Sequence, residues 1–135
     1  MMIEKYFINV AVQDSKKSKV FFEGLGFNHV PKFTNDVAVA IKLSDTLFLM
    51  CLETRFFETF TPKTKLDVIP HRLSQLNSFN LSSKAEVDEM YEKAMKLGAK
   101  ELRPTEIYED KMYGRSFIDL DGYGWEIGWM DESKF

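Results

Sequence analysis

The sequence predicts an α+β fold made of two repeated strand–helix–strand–strand–strand units. Three observations carry that prediction. A strand with period-two alternation opens each half of the chain, an amphipathic helix follows each of those strands, and three further strand-like runs follow each helix. The chain is 135 residues long, enough for one domain that buries roughly two thirds of its unfolded surface.

Each element has its own signal. From Lys5 to Val12, Tyr6, Ile8, Val10 and Val12 alternate with Phe7, Asn9 and Ala11, which describes a strand with one fully apolar face. Gln13-Asp14-Ser15 ends it. A helix is expected from about Lys16 to Gly24, with Val20, Phe21 and Leu25 inward, three lysines outward and Gly26 as its stop. Strands are expected near Phe27–Phe33, Val37–Leu43 and Thr46–Leu52, separated by Thr34-Asn35-Asp36 and Ser44-Asp45. The second half repeats the order. Gln75–Ser82 reads as a strand, and Ser83-Lys84-Ala85-Glu86 is a capping box that opens a helix. Val87, Met90, Ala94 and Leu97 form its expected buried stripe, Glu89/Lys93 and Glu92/Lys96 its exposed pairs, and Gly98 its end. Strands near Lys100–Thr105, Met112–Asp119 and Tyr123–Met130 complete the unit. The organisation is therefore a single domain over 1–135, with unit one at 5–52, a connection at 53–74 and unit two at 75–131. Two readings of the connection stay open. Its phenylalanines (Phe56, Phe57, Phe60) and prolines (Pro62, Pro70) suit either a crossover folded over an opening or plain core.

Composition narrows the function. Hydrophobic content of 44% and charged content of 29% are ordinary for a globular protein. A net charge of −3 with no basic stripe argues against nucleic acid as a partner. The amino terminus lacks the pattern of a secretory signal and no apolar run has membrane-spanning length, so a cytoplasmic protein away from membranes is expected. The single cysteine, Cys51, agrees with a reducing compartment.

The most informative feature is Glu126, which stands between Gly124 and Gly128 in the last apolar strand. Alternation puts Trp125, Ile127 and Trp129 on one face and clears the other face around one acid. Glycine inside a strand often marks the close approach of a ligand, so this face reads as a pocket floor; a solvated strand face with a bulge is the competing reading. With Glu126 facing inward, parity assigns Phe7, Asn9, Leu49, Cys51, Ser78, Asn80 and Ser116 to the same lining. That mixture of apolar walls and short polar groups suits a small organic ligand. Asn9 and Asn80 look like counterparts in the two units, either in the pocket or as amides bonded to nearby backbone. If buried, Glu126 would gain a raised pKa and could serve as general acid or base. Its only cationic candidate nearby in sequence is Arg115, which parity places on the opposite face as a structural ion-pair residue. Tyr108–Tyr113 reads as an exposed loop at the pocket mouth. Cys51 is favoured as a packed thiol, and His29 and His71 as surface or packing residues rather than ligands.

The repeated order, Phe21-Phe22-Glu23-Gly24-Leu25-Gly26-Phe27, and the run from Tyr113 through Asp119-Leu120-Asp121-Gly122 to Trp125-Glu126 resemble the glyoxalase/bleomycin-resistance/dioxygenase superfamily, the vicinal-oxygen-chelate fold. The resemblance covers essentially the whole chain. It implies curved mixed sheets around a shared concave cleft, and commonly a homodimer. Leu120 departs from the superfamily's Asp-Pro-Asp-Gly turn. Catalytic members hold one divalent metal, and the corresponding positions here are Phe7, Leu49, Leu76 and Glu126. Only Glu126 can coordinate, so no metal cofactor is expected. The resulting expectation is a metal-independent small-molecule binding protein of the glyoxalase/bleomycin-resistance type. The alternatives are a glyoxalase-like, metal-dependent lyase or isomerase using Glu126, and a regulatory module with a vestigial pocket.

Overall fold

The computed structural model describes residues 1–61, 73 and 75–135. The chain forms two compact units, Met1–Leu66 and Asp67–Phe135, each an α+β arrangement of one mixed sheet with helix against it. The expected positions Pro62, Pro70, His71 and Ser74 lie outside the described residues.

In the first unit the elements run β1 (Tyr6–Val12), α1 (Ser15–Gly24), β2 (Asn28–His29), β3 (Ala38–Lys42), β4 (Leu47–Glu53) and α2 (Thr54–Glu58). The sheet order is β1-β4-β3-β2, with β1 parallel to β4 and the other pairs antiparallel. Asp14 caps α1 by accepting from the Lys16 and Lys17 amides at 2.9 and 3.3 Å. The Glu53 carboxylate, at the end of β4, accepts from the Ser15 amide and hydroxyl at 3.3 and 3.0 Å, which fixes the start of α1 to one face of the sheet. Val10, Val39, Ile41, Leu49 and Cys51 are buried on that face with Phe21, Phe22 and Leu25. Each such aliphatic or aromatic side chain contributes about 1.5–3 kcal/mol by leaving water.

The second unit runs β5 (Leu76–Asn80), α3 (Lys84–Lys96), β6 (Lys100–Glu101), β7 (Glu106–Tyr108), β8 (Met112–Ile118) and β9 (Gly124–Met130). Its order is β5-β9-β8-β6, with β5 parallel to β9 and β7 paired with one end of β8. Tyr113 donates to Asp88 on α3 at 2.5 Å, and the Arg115 guanidinium lies 3.3 Å from the same carboxylate and 3.5 Å above the Tyr91 ring. These contacts seat α3 on the face that also carries Phe117, Trp125 and Ile127. Helices α1 and α3 each end at a glycine with positive φ, Gly26 at 109° and Gly98 at 101°, a conformation that a side chain would strain.

Several expectations change in detail. The strand expected at Phe27–Phe33 keeps only Asn28–His29, because Pro31 has no amide to donate and starts a 3₁₀ turn, Pro31–Phe33. Val20 is 67% exposed rather than inward; Ser18 and Phe22 take the buried positions beside Phe21. In α3 the stripe is Val87, Tyr91 and Ala94, with Tyr91 in the place given to Met90, since its hydroxyl reaches Glu101 at 2.8 Å. Ser83 caps that helix through the Glu86 amide, but the Glu86 carboxylate turns to the Ser82 amide instead of completing the box on Ser83. Glu89 and Lys93 pair at 3.1 Å, while Glu92 lies 3.6 Å from Arg115. The strand expected at Lys100–Thr105 breaks at Arg103-Pro104 and resumes as β7. The Tyr108–Tyr113 stretch is therefore a β-hairpin end, with Glu109 at φ 52° and Lys111 donating back to Tyr108 at 3.1 Å.

Candidate functional site

Register converts strand parity into geometry, because residues paired across neighbouring strands point to the same face. In the second unit Ser78, Glu126 and Ser116 are paired in one row across β5, β9 and β8, and Asn80, Gly128 and Gly114 in the next. Gly128 and Gly114 leave the row beside Glu126 without side chains on two adjacent strands. The result is a concavity of about 430 Å³ on the face of the sheet opposite α3, with Glu126, Ser78, Ser116, Arg103, Tyr108 and Met112 in its wall. Among the sequence-expected residues, Ser78, Asn80, Ser116 and Glu126 are brought together there.

Arg103 is a pocket residue that sequence reasoning missed. Its Nη2 donates to Glu126 Oε2, its Nε donates to Glu106 Oε1 at 2.5 Å, and its amide donates to the buried Ser116 hydroxyl at 3.2 Å. Pro104 interrupts the strand at this point, and the arginine turns in over the sheet face. Position in sequence conceals this, since Arg103 lies 23 residues from Glu126. The faint signal available was the arginine–proline pair inside an expected strand, where proline cannot continue the ladder. Arg115 stays on the helix face, as parity requires.

Ser78 donates its hydroxyl to Glu126 Oε1, so both carboxylate oxygens accept hydrogen bonds. The Ser78 hydrogen bond, aided by the Arg103 guanidinium and opposed by partial burial, holds the Glu126 carboxyl below its ordinary value. This reverses the expectation of a raised pKa: the side chain remains 32% exposed and has a cation beside it. Glu126 is ionised at neutral pH, which makes it an acceptor for ligand donors and a poor proton donor. The neighbouring turn is held separately. The Asp119 carboxylate accepts from the Asp121 and Tyr123 amides and from Trp125 Nε1, at 2.9, 3.0 and 2.8 Å. Burial raises its pKa against those hydrogen bonds. Leu120 is exposed within this turn, which closes without proline.

The first unit departs from the expected lining. Phe7 pairs with Phe48, Asn9 with Met50 and Ala11 with Leu52, so Leu49 and Cys51 lie on the other face with Ile8 and Val10. Both are fully buried there. The error was one residue of parity in β4, whose apolar run Leu47–Leu52 shows no alternation to read. Phe7 is partly exposed, stacked on Phe48 at 5.1 Å and edge-on to Phe33 at 6.2 Å. Asn9 stands five residues before the cap of α1, as Ser78 does before the cap of α3, so its counterpart is Ser78 rather than Asn80. Phe56 and Phe60 pack edge to face at 5.0 Å in and after α2, with Phe60 65% exposed. His29 Nδ1 lies 3.4 Å from Glu23 at the end of α1.

The divalent metal of the fold family finds a poor donor set here. Phe7 and Leu76 offer no donor atom, and the register correction replaces Leu49 by Phe48 or Met50, of which only the thioether could coordinate, and then a soft ion. Glu126 already faces a guanidinium cation. Among the described residues no group of three His, Cys, Asp or Glu side chains is placed to hold a metal ion, and no helix is long and apolar enough to cross a membrane.

No protein-family model matches the chain, and no curated protein matches it. Solved structures do. A hypothetical protein SA1046 from S. aureus has a TM-score of 0.77 at 23% identity, covering 96% of this chain and 94% of that one. A glyoxalase-related enzyme from Fulvimarina pelagi has a TM-score of 0.75 at 21% identity, covering 95% and 88%. The fosfomycin resistance protein FosX from Mesorhizobium loti has a TM-score of 0.70 at 16% identity, covering 99% and 98%. The fold is that of the glyoxalase/bleomycin-resistance/dioxygenase superfamily.

Proposed function

We propose that the chain is a small-molecule binding protein of the glyoxalase/bleomycin-resistance type that works without a metal, its ligand seated in the concavity of the second unit. One observation carries the reading: Glu126, the only carboxylate at the superfamily's metal-ligand positions, is engaged on one oxygen by Arg103 and on the other by Ser78. A divalent ion would have to displace or repel the guanidinium, and few other donors are at hand to offset that cost. A pocket of roughly this size, with apolar walls and a few polar groups, is of the kind that holds small organic ligands. Sequestration without turnover fits a site with an ionised acceptor and no paired acid. A cytoplasmic homodimer is proposed with it, to be checked by light scattering.

A second reading retains one favourable observation. Glu126 keeps its carboxylate on the pocket face, as a glyoxalase-like, metal-dependent lyase or isomerase would require. Elemental mass spectrometry of untagged protein purified without chelator separates the two. Background metal in both the wild type and Glu126→Gln is expected. Near-stoichiometric metal that disappears in Glu126→Gln would overturn the binding reading in favour of the lyase.

A further inference from the structure

The concavity is asymmetric along its strands. Glu126, Ser116 and Ser78 lie at one end, the Gly114/Gly128 pair, with the Asn80 amide over Gly128, forms the middle, and the paired Met112 and Met130 lie at the other end. Tyr108, paired with Met112 from β7, adds an aromatic wall. Gly114 has open space over its peptide, whereas the Asn80 amide lies over Gly128, so a flat ring can lie against the Gly114 strip with that amide at its edge. Methionine thioethers adapt to ring edges, with a favourable sulfur–aromatic contact.

Charge at the polar end has a definite sign. Two carboxylates, Glu126 and Glu106, share the single guanidinium of Arg103. Among the described residues, the other charged side chain bordering the concavity, Arg115, is committed to Asp88 and Glu92 on the helix side. At the rim, Lys111 lies 3.6 Å from Glu109 and 5.9 Å from the Tyr108 ring centroid, and so brings its own counter-charge. Counting the described residues, the group of Arg103, Glu106 and Glu126 carries a formal charge of about −1 at neutral pH. An ammonium group would neutralise it. A carboxylate or phosphonate would add to the excess.

We propose that the ligand class is a flat aromatic or heteroaromatic amine, with its ring over Gly114 against the paired methionines and its cationic head toward Glu126 and Glu106. This inference rests on the binding reading above and names its ligand chemistry. The test uses three probes with one ring system, 2-naphthylmethylamine, 2-naphthylmethanol and 2-naphthoate, titrated against wild type, Glu106→Gln and Gly114→Leu by calorimetry. The expected result is an amine bound about tenfold or more tighter than the carboxylate, a difference of about 1.4 kcal/mol or more. Glu106→Gln, at a mostly exposed side chain, should narrow that ratio by weakening the amine and strengthening the carboxylate.

Gly114→Leu should abolish binding by filling the floor. A Cβ at Gly114 meets nothing closer than the Ile127 carbonyl at 3.7 Å, so this variant should fold, as circular dichroism would verify. Carboxylate bound more tightly than amine, alcohol bound as well as amine, binding unaffected in a folded Gly114→Leu, or no binding of any probe would each overturn the proposed ligand class. Should Gly114→Leu not fold, the Glu106→Gln ratio alone decides. None of these outcomes bears on the binding reading itself, which stands or falls on the metal analysis.

Discussion

The two units share one topology and use the same sheet face in opposite ways. Counted from the helix caps, Phe7, Asn9 and Ala11 correspond to Leu76, Ser78 and Asn80. Their parallel partners are Phe48, Met50 and Leu52 in one unit and Gly124, Glu126 and Gly128 in the other. Unit one fills the rows with phenyl, thioether and isobutyl groups, so Phe7 stacks on Phe48 and Leu52 is buried. Unit two has glycine on both sides of one carboxylate, with Leu73 and Leu76 over Gly124 and Asn80 over Gly128, and supplies that carboxylate with a cation. A duplicated scaffold can thus keep its helix-side core in both copies while specialising the other face in one.

The comparison is broken most forcefully on the helix side. Trp125→Ala should cost about 3–5 kcal/mol, as large aromatic truncations in cores do, because Trp125 is 2% exposed and donates to the half-buried Asp119 carboxylate. Its counterpart Leu49→Ala should cost about 2–5 kcal/mol. Denaturant unfolding checks both, and a loss below about 1 kcal/mol for either would mean that the two cores are not equivalent.

Glycines on the other face should separate by sign. A Cβ on Gly128 would stand 2.8 Å from Asn80 Oδ1, so Gly128→Ala should lose about 1 kcal/mol while Asn80 shifts, whereas Gly114→Ala has room and should gain about 0.5–1 kcal/mol by restricting the unfolded chain. Adding Asn80→Ala to Gly128→Ala should recover the loss, a non-additivity that thermal unfolding can measure.

The subtlest difference concerns proton binding. Glu126 has a lowered folded pKa, so it contributes stability that is present above its unfolded value and is lost as pH falls through the folded value. In Arg103→Met the carboxyl keeps only Ser78 and its partial burial, so its pKa should rise. The stability that Glu126 lends between the ordinary glutamate value of 4.5 and its lower folded value should shrink accordingly. Carboxyl-carbon NMR titration of Glu126 reads this directly; an unchanged titration would show that the pair with Arg103 is not maintained in solution.

Legibility in the sequence followed local periodicity. β1 and β9 alternate cleanly, and their faces were assigned correctly from the pattern. β4 is apolar on both faces, so the same rule placed Leu49 and Cys51 on the wrong side. Val20 looked inward because it sits beside Phe21 in an apolar run, yet the small Ser18 packs there instead, its hydroxyl donating to the Asp14 carbonyl at 3.2 Å. Arg103 was invisible as a partner because ion pairing between strands depends on register and on where Pro104 breaks the ladder.

Sequence alone determined the repeated order of elements and the two helix ends at Gly26 and Gly98, since each rests on interactions within a few residues; the space over Gly124 and Gly128, expected to be clear, is taken by Leu73, Leu76 and Asn80. Tertiary structure alone decided which face β4 turns to the helix and which cation meets Glu126, and hence that the carboxyl is held ionised rather than raised in pKa. Those outcomes depend on cross-strand register and on charges brought together from distant positions, where neither periodicity nor spacing carries information.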